Sequence, residues 1–387
     1  MSLYVVKFGG SSVATHARIK RASDIIASII SKGNKVIAVT SAMQGVTDQL
    51  IDFAKAFRDS PIDREYDSII SSGEQVAAGL FALCLNSIGT PAKSMLGWQV
   101  PIKTSGTFSQ AIIKSISVKK ILEEVFENGI TPVIAGFQGI SDENEIMTIG
   151  RGGSDATACA LTYAVRADEC FIYTDVDGVY TADPRIVLNS KRIEKISYDE
   201  MLELASNGAK VLQSRAILIA KQCSVKLRVL SSFSETGETI VTNETVYIPK
   251  DKKVTGIAHN TNSCMISVLG DFNQTELLER IYNKERNMDL ISLKEDSISF
   301  LIQKPYINEL KEILKDAKFV VDNDIGIVSV VGNGIKTDQS VLKEILRIMN
   351  MKKIKLKQVS LSDMSISIIV PFQQTELLVN EIHKLFF

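Results

Sequence analysis

The residues best suited to chemistry lie in a glycine-rich turn at residues 148–158, Thr-Ile-Gly-Arg-Gly-Gly-Ser-Asp-Ala-Thr-Ala, which runs directly into an apolar helix. Its glycines let the main chain approach a ligand closely, and Arg151 offers a planar fork of donors suited to a carboxylate or a phosphate. Ser154 or Asp155 caps the helix, whose free N–H groups would favour an anion held in the turn. The turn suggests phosphate-transfer chemistry, with an ordinary capped loop as the alternative for this stretch alone.

Two further stretches favour the phosphate interpretation. Residues 5–12, Val-Val-Lys-Phe-Gly-Gly-Ser-Ser, take an apolar strand into a glycine and serine turn, with Lys7 at an expected exposed strand end. Residues 173–185, Tyr-Thr-Asp-Val-Asp-Gly-Val-Tyr-Thr-Ala-Asp-Pro-Arg, end a strand in carboxylates, hydroxyls and an arginine. The sequence has neither a Walker loop nor a dinucleotide-binding fingerprint. The three stretches together predict a phosphate cradle of another type.

Taken in order, these motifs closely resemble those of the aspartate kinases, a branch of the amino-acid kinase family. The resemblance runs from about residue 3 to about residue 230, and Gly-Arg-Gly-Gly-Ser-Asp is the motif that indicates aspartate. The motif at 173–185 is shared loosely with glutamate and nucleotide monophosphate kinases. The resemblance implies ATP-dependent phosphorylation of the side-chain carboxylate of L-aspartate to 4-phospho-L-aspartate. This reaction is the first step towards lysine, diaminopimelate, threonine and methionine.

The resemblance also implies roles for individual residues, with ATP and Mg²⁺ as cofactors. Lys7 would neutralise the transferring phosphoryl group, Asp155 would orient Lys7, and Arg151 would complete the catalytic set. Arg151 would grip the substrate α-carboxylate and Glu74 its α-ammonium group. The other implied substrate contacts are Ser41, Thr47, Gly152, Gly153 and Ser154. The implied nucleotide contacts are Lys7, Phe8, Gly9, Gly10, Thr174, Asp175, Tyr180, Arg185, Lys210 and Val211, with Mg²⁺ on the phosphates.

The residues alone indicate only a phosphotransferase acting on a small anionic substrate. A kinase for another acid, such as glutamate or acetylglutamate, is therefore an alternative. A non-catalytic amino-acid sensor is a second one, although intact Lys7, Arg151 and Asp155 argue against it. Glu74 could be a simple helix-capping acid, and Gln213 stands where the family commonly has histidine.

Short apolar runs that alternate with helical patterns predict an α/β domain over residues 1–245, with a mostly parallel sheet sandwiched by helices. The predicted strands are Leu3–Phe8, Lys35–Thr40, Pro132–Ala135, Glu169–Thr174 and Lys226–Leu230. The predicted helices lie near Ala17–Ile30, Gln44–Phe57, Gly73–Leu85, Val118–Glu127 and Ala156–Val165. Ligands of open sheets bind beyond the carboxyl ends of the strands. The motif residues at or just past those ends are Lys7, Ser41, Gly136, Thr174 and Asp175.

Residues 246–387 contain a repeated pattern. Ile266–Gly270 recurs as Val328–Gly332, and Ile298–Ile302 recurs as Ile366–Val370. These repeats predict one βαββαβ unit used twice, which resembles the paired ferredoxin-like ACT domains that follow the kinase domain in aspartate kinases. The two ACT domains would span about 263–324 and 325–387, and the resemblance allows the first to be inserted in the second, with a strand at 254–258.

The ACT resemblance implies subunit contacts, and hence a homodimer or higher homo-oligomer, with lysine or threonine as a possible effector. Asp289 is the one candidate for holding the effector ammonium group. In the stretch 270–274, Gly-Asp-Phe-Asn-Gln, the glycine usual directly before the first helix is missing, and Lys352–Lys357 are rich in lysine. We therefore expect feedback inhibition to be weak or absent.

Composition narrows the remaining function classes. A length of 387 residues predicts two or three domains, and a formal net charge of −1 offers no basic face for nucleic acid. No apolar run approaches the ~20 residues of a membrane span. The amino terminus enters a strand without a signal peptide, which predicts a cytoplasmic protein. Five scattered cysteines without a Cys-x-x-Cys pair predict neither a disulfide frame nor a zinc site. Three histidines outside any motif argue against a histidine base, and hence against most hydrolases.

Overall fold

A computed structural model describes residues 1–58, 62–209, 211–234, 236–243, 254–270, 273–282, 288–315 and 317–387. The chain forms two compact units. Unit 1 comprises Met1–Val179, Arg192–Ala205 and Lys210–Tyr247, and unit 2 comprises Tyr180–Lys191, Ser206–Ala209 and Ile248–Phe387. The boundary predicted between residues 245 and 246 lies outside the described residues and stays a prediction.

The strands of the first 242 residues form a main sheet, a small sheet and one short hairpin. In chain order they are β1 (Leu3–Phe8), β2 (Lys35–Thr40), β3 (Ala92–Met95), β4 (Ile102–Ser105), β5 (Ile112–Ile116), β6 (Thr131–Ala135), β7 (Gln138–Ile140), β8 (Ile146–Thr148), β9 (Glu169–Thr174), β10 (Val179–Tyr180), β11 (Arg192–Ile193), β12 (Lys195–Ser197), β13 (Leu227–Ser231) and β14 (Glu238–Thr242).

The main sheet has the order β12-β14-β13-β9-β1-β2-β6-β3, and all its neighbouring strands are parallel except β13 and β14. The predicted α/β fold class is therefore confirmed. β1, β2 and β9 have the bounds predicted from the sequence, because central parallel strands read as continuous apolar runs. The small sheet, of order β5-β4-β7-β8, was not predicted.

Helices cover both faces of the main sheet. In chain order they are α1 (His16–Ser31), α2 (Val46–Lys55), α3 (Arg64–Ile70), α4 (Ser72–Ser87), α5 (Lys119–Leu122), α6 (Gly153–Ala164), α7 (Tyr198–Ser206) and α8 (Ser214–Gln222). α1 and α4 cover the face where Val6 and Phe8 share a core with Ile26 and Phe81. α6 lies on the other face, towards which Lys7 points. The helix predicted near 118–127 is α5 followed by a π-helical turn.

The helical run Arg64–Ser87, which contains α3 and α4, is long and apolar enough to cross a membrane by length and composition alone. Its most apolar window has a mean hydropathy of 1.4, and half of that window is buried inside the protein. The run also buries two acidic side chains, Asp67 and Glu74, which would be costly in a lipid-facing helix. We therefore interpret it as a pair of core helices.

Unit 2 contains two similar four-stranded sheets with two helices each. Its strands are β15 (Gly256–Asn260), β16 (Ser263–Leu269), β17 (Asp289–Lys294), β18 (Ser297–Gln303), β19 (Lys318–Asp322), β20 (Gly326–Val331), β21 (Gln358–Leu361) and β22 (Ser365–Val370). Its helices are α9 (Gln274–Tyr282), α10 (Ile307–Ile313), α11 (Gln339–Met351) and α12 (Thr375–Phe386).

The two sheets of unit 2 share one topology. Their orders are β17-β18-β16-β19 and β21-β22-β20-β15, so β15 takes the place in the second sheet that β19 takes in the first. The strand expected at 254–258 is β15, shifted by two residues. A shared apolar cluster that includes Leu301, Ile327 and Ile369 joins the repeats. This internal repeat agrees with the ferredoxin-like pattern expected from the sequence.

Candidate active site

Lys7 and Asp155 form a buried ion pair at the carboxyl end of β1. Lys7 Nζ lies 2.5 Å from Asp155 Oδ1, with the distance of an ion pair but not the alignment of a hydrogen bond. The expectation of an exposed lysine is wrong, because Lys7 is only 7% exposed under the first turn of α6. A Cβ atom added to Gly9 would lie 3.4 Å from Nζ. The ammonium group is therefore held in one position beside the glycine turn.

The turn after β1 contacts the ends of two neighbouring strands, β9 and β2. Gly9 N donates to Tyr173 O at 3.0 Å, which ties the turn to β9. A Cβ atom on Gly10 would lie 2.9 Å from Ala42 O, so the chain after β2 passes directly over this glycine. The Phe8 side chain is fully buried. Phe8 can therefore offer a nucleotide only its backbone atoms.

The glycine-rich turn between β8 and α6 needs glycine at two positions. Gly150 and Gly152 have φ values of 81° and 73°, which favour glycine. A Cβ atom on Gly150 would lie 2.8 Å from Ser109 O, and one on Gly152 would lie 2.2 Å from Gln213 Cγ. Gln213, the departure from the family pattern, thus packs its side chain on Gly152 and covers one side of the turn.

Arg151 is exposed at the apex of this turn. Within the described part of the chain its guanidinium has no hydrogen-bond or ion-pair partner. Burial and the Asp67 carboxylate raise the pKa of the Tyr66 phenol. The positive charge of Arg151 is near enough to that phenol to lower its pKa. Arg151 therefore lies close to α3 and is available to an anionic ligand. Ser154 is buried behind the turn, packed against Gly136.

Glu74 is a buried acid with one oxygen available. Its Oε1 accepts a hydrogen bond from Ala42 N at 3.0 Å, whereas Oε2 is buried with no partner among the described residues. Burial raises the pKa of Glu74 to about 7, because desolvation disfavours the charged form. A capping acid at a helix start would be solvated, so this geometry favours a role in holding a buried cation.

Ser41 and Thr47 lie on either side of Ala42 in sequence, the residue whose N–H donates to Glu74. Both are half-buried, Ser41 directly after β2 and Thr47 in the first turn of α2. Ser41 N donates to Phe8 O at 3.1 Å. A Cβ atom on Gly73 would lie 2.9 Å from Ala42 Cβ. The stretch after β2 is thus packed between the start of α4 and the glycine turn after β1.

The predicted nucleotide contacts fall into three groups. Thr174 ends β9 and Asp175 follows it in unit 1, where the Thr174 hydroxyl donates to Asp175 Oδ1 at 3.0 Å. Tyr180 and Arg185 belong to unit 2, and Arg185 pairs there with Asp183 at 2.7 Å. Val211 is half-buried in unit 1, and Lys210 lies outside the described residues.

Asp67 is a buried acid that the sequence analysis missed. It is 0% exposed, and its carboxylate accepts hydrogen bonds from Ser109 and Thr148, which lie 42 and 81 residues away in sequence. The available signal was its position seven residues before Glu74, two helical turns along one apolar run. An acid at that spacing in an apolar run needs a buried partner or a ligand.

The predicted effector residue Asp289 begins β17 in unit 2, and its side chain is exposed. Partial desolvation by its neighbours still raises its pKa. In the lysine-rich stretch, Lys357 pairs with Asp322 at 2.7 Å. Residues 271 and 272 of the expected effector loop lie outside the described residues. The expectation that feedback inhibition is weak or absent therefore stays a prediction.

Neither a metal cluster nor the cleft beside Asp168 marks the site. Within the described ranges no group of three or more His, Cys, Asp or Glu side chains could hold a metal ion. A cleft of about 410 Å³ lies at the amino ends of β9 and β13, near Asp168 and Ser224. That cleft contains none of the described residues that were predicted for the site, and in unit 1 Lys7, Ser41 and Thr174 lie at the opposite, carboxyl ends of their strands.

Comparison with known proteins identifies the family. The sequence model of the Amino acid kinase family matches residues 2–231. The chain is 36% identical to the aspartate kinase Ask_LysC of Stutzerimonas stutzeri, over 100% of this chain and 97% of the relative. It is 39% identical to an aspartokinase of Rickettsia conorii, over 100% of this chain and 99% of the relative.

The fold comparison agrees with the sequence comparison. The structure of E. coli aspartokinase III in complex with aspartate and ADP has a TM-score of 0.81 and 24% identity, and 99% of each chain is covered. Aspartate kinase from Synechocystis has a TM-score of 0.57 and 31% identity, covering 100% of this chain and 69% of that one. With unit 1 and the repeats of unit 2 both matched, this chain belongs to the aspartokinases of the amino acid kinase family.

Proposed function

We propose that this aspartokinase transfers the γ-phosphoryl group of ATP to the side-chain carboxylate of L-aspartate, forming 4-phospho-L-aspartate. The observation that carries the proposal is a fixed cation, Lys7, held by Asp155, in the same unit as a buried acid, Glu74, with one unpaired oxygen. Relatives identical at 36–39% over the whole chain are named aspartate kinases or aspartokinases.

In this proposal the nucleophile is the substrate's own carboxylate, which is ionised at neutral pH. No protein base is required, so catalysis rests on positioning and charge neutralisation as the phosphoryl group moves. Lys7 supplies a positive charge beside the glycine turn, and Asp155 fixes its position. Because Lys7 is buried, the low local dielectric strengthens the attraction between its ammonium group and the negatively charged transferring phosphoryl group.

Glu74 and Arg151 would hold the two α-groups of aspartate. The unpaired Glu74 Oε2 would accept a hydrogen bond from the α-ammonium group. The positive charge of that group would also balance the buried carboxylate. Arg151, exposed at the turn, would bind the α-carboxylate through two parallel hydrogen bonds. Ser41, Thr47 and the backbone of the glycine-rich turn would complete the substrate contacts.

The nucleotide would lie along the glycine turn after β1 and the ends of β9 and β13. The E. coli relative is described as a complex with aspartate and ADP, which supports ATP as the donor. Mg²⁺ usually binds through substrate phosphates and one or two carboxylates, so we expect it to bind together with the nucleotide. The ion would neutralise phosphate charge. Thr174 and Asp175 stay predicted nucleotide contacts.

Unit 2 would provide subunit contacts, and any effector would bind there. E. coli aspartokinase III is also described in complex with lysine and aspartate in a T-state. This supports lysine as the first effector to test. We expect a homodimer or larger oligomer in the cytoplasm, serving lysine, threonine and methionine synthesis. Light scattering of the full-length protein tests the oligomer, and a monomer at micromolar concentration would contradict it.

A coupled ADP-release assay tests the reaction directly. Aspartate, glutamate and acetylglutamate are compared as acceptors, and hydroxylamine trapping detects the acyl phosphate. We expect turnover with aspartate in clear excess over the other two acids. Preference for another acid would replace the proposed substrate, and aspartate binding without ADP release would indicate an amino-acid sensor.

A further inference from the structure

We propose that Asp67 is a positioning residue that fixes the direction in which Arg151 meets the substrate α-carboxylate; this inference rests on the proposed function. Asp67 is fully buried on α3. It pairs with no described lysine or arginine. All four hydrogen bonds described for its carboxylate come from two residues, Ser109 and Thr148.

The four hydrogen bonds form a two-sided clamp. Asp67 Oδ2 accepts from Thr148 N at 2.6 Å and from Ser109 N at 2.9 Å. Oδ1 accepts from the Ser109 hydroxyl at 2.7 Å and from the Thr148 hydroxyl at 3.0 Å. Each residue is thus held by its backbone and its side chain together, which fixes both its position and its orientation.

The clamped residues form the base of the turn that carries Arg151. Thr148 is the last residue of β8, three positions before the arginine, and Thr148 O accepts from Ala111 N at 3.0 Å. Ser109 O lies 2.8 Å from the position of a Cβ atom on Gly150. Because Ser109 O leaves no room for a side chain at Gly150, we expect a shift of Ser109 or Thr148 to move the turn.

Ser109 also needs the clamp for its own conformation. Its φ is 65°, a left-handed value that costs free energy in a non-glycine residue and persists only when the surroundings impose it. Two of the Asp67 hydrogen bonds impose it here. Without them we expect the segment to relax and the turn with it.

The same helical run links both α-groups of the substrate. Asp67 on α3 and Glu74 on α4 are separated by seven residues, about 10 Å along a helix. Glu74 would bind the ammonium group directly, and Asp67 would set the carboxylate partner through the turn. The run would therefore fix the distance between Glu74 and Arg151, and this distance must match the separation of the ammonium and carboxylate groups of an α-amino acid.

The test is a double-mutant cycle between Asp67→Ala and Arg151→Lys, with kcat and KM measured for aspartate and ATP. Asp67→Ala should raise the aspartate KM about tenfold or more, since small misplacements of a binding group cost that much. The ATP KM should change less than about twofold, and in the Arg151→Lys background the added cost should fall below about threefold because the residues act together. Additive effects, or equal increases in both KM values, would overturn the proposal.

Asp67→Asn is the conservative control. Its carbonyl oxygen can accept the two backbone hydrogen bonds, and its amide can donate to the two hydroxyls, which also accept. It should keep an aspartate KM near that of the wild type, and a loss equal to that of Asp67→Ala would contradict positioning by hydrogen bonds.

If Asp67→Ala does not fold, Ser109→Ala and Thr148→Val each remove one hydroxyl donor. Both should raise the aspartate KM with an unchanged ATP KM, and no change in either would overturn the proposal. If the wild type prefers another acid, the proposed function fails, and the same variants test the clamp with that acid.

Discussion

Each unit has a buried side-chain oxygen without a partner among the described residues, for example Ser190 Oγ in unit 2. The site acid of unit 1 and the strand serines of unit 2 nevertheless differ in how their polar atoms are satisfied. In unit 1, Glu74 Oε2 and Gln138 Oε1 are buried without a hydrogen-bond partner among the described residues. In unit 2, equivalent serines of the two repeats pair across neighbouring strands, Ser267 with Ser299 at 3.0 Å and Ser329 with Ser367 at 2.8 Å. An unpaired buried polar group costs about 1–3 kcal/mol. Unit 1 therefore bears a cost that a ligand can relieve, whereas these pairs in unit 2 satisfy themselves.

The sharpest way to break this comparison is Lys7→Ala. We expect kcat to fall by about a thousandfold or more, because a fixed charge at the transferring group is lost. The change also leaves Asp155 buried and unpaired, which costs about 3–5 kcal/mol of stability. The double variant Lys7→Ala/Asp155→Asn should recover the fold but not the activity, as measured by thermal unfolding and the ADP-release assay.

Ser267→Ala in unit 2 is the matched control for Lys7→Ala. Since it removes one member of a self-satisfied pair, we expect unchanged kcat and a small stability loss of about 1 kcal/mol. Wild-type-like turnover in a folded Lys7→Ala protein would contradict the role of this ion pair in catalysis.

Glu74→Gln should separate stability from substrate binding. The aspartate KM should rise by about tenfold or more, because a charged partner of the ammonium group is lost. The pKa of Glu74 is raised from 4.5 to about 7, so the folded state binds more protons than the unfolded state in that window. Stability therefore falls as pH rises through it, by at most about 3 kcal/mol, and Glu74→Gln should be the more stable protein at pH 8.

The same variant predicts a pH signature. In the wild type the aspartate KM should rise as pH falls from 8 to 6, because protonated Glu74 no longer attracts the ammonium group. In Glu74→Gln this part of the pH profile should be flat. A pH dependence that persists unchanged in the variant would assign the effect to another group.

Arg151→Lys should have a smaller and more selective effect. Lysine keeps the charge but cannot reproduce two parallel hydrogen bonds to a carboxylate, so we expect the aspartate KM to rise about tenfold with the ATP KM nearly unchanged. A larger effect on the ATP KM would instead place Arg151 on the phosphates.

The smallest effect is expected in unit 2. Lysine and threonine should inhibit weakly or not at all, and Asp289→Ala should remove whatever inhibition is found, because Asp289 is the candidate partner of an effector ammonium group. Initial rates with millimolar amino acid measure this. Inhibition at micromolar concentration would show that unit 2 holds an amino acid tightly, and the contrast between a ligand-binding unit 1 and a self-satisfied unit 2 would fail.

The central architecture could be predicted from the sequence because its signals are local. β1, β2 and β9 are continuous apolar runs, and the repeats of unit 2 alternate with a period of two residues. The short strands β4, β5, β7 and β8 and the helix α3 were missed. A strand of three to five residues carries too few residues to show a period.

The sequence by itself therefore determined the chemical types at the site, Lys7, Arg151 and Glu74, and the strand ends that hold them. Only the tertiary structure decided which of these groups are buried and what they contact. Asp67 and Thr148 are 81 residues apart, yet their bond sets the base of the glycine-rich turn. The desolvation that raises the pKa of Glu74 likewise comes from elements packed around it. Burial and electrostatics depend on such distant contacts, and no local pattern records them.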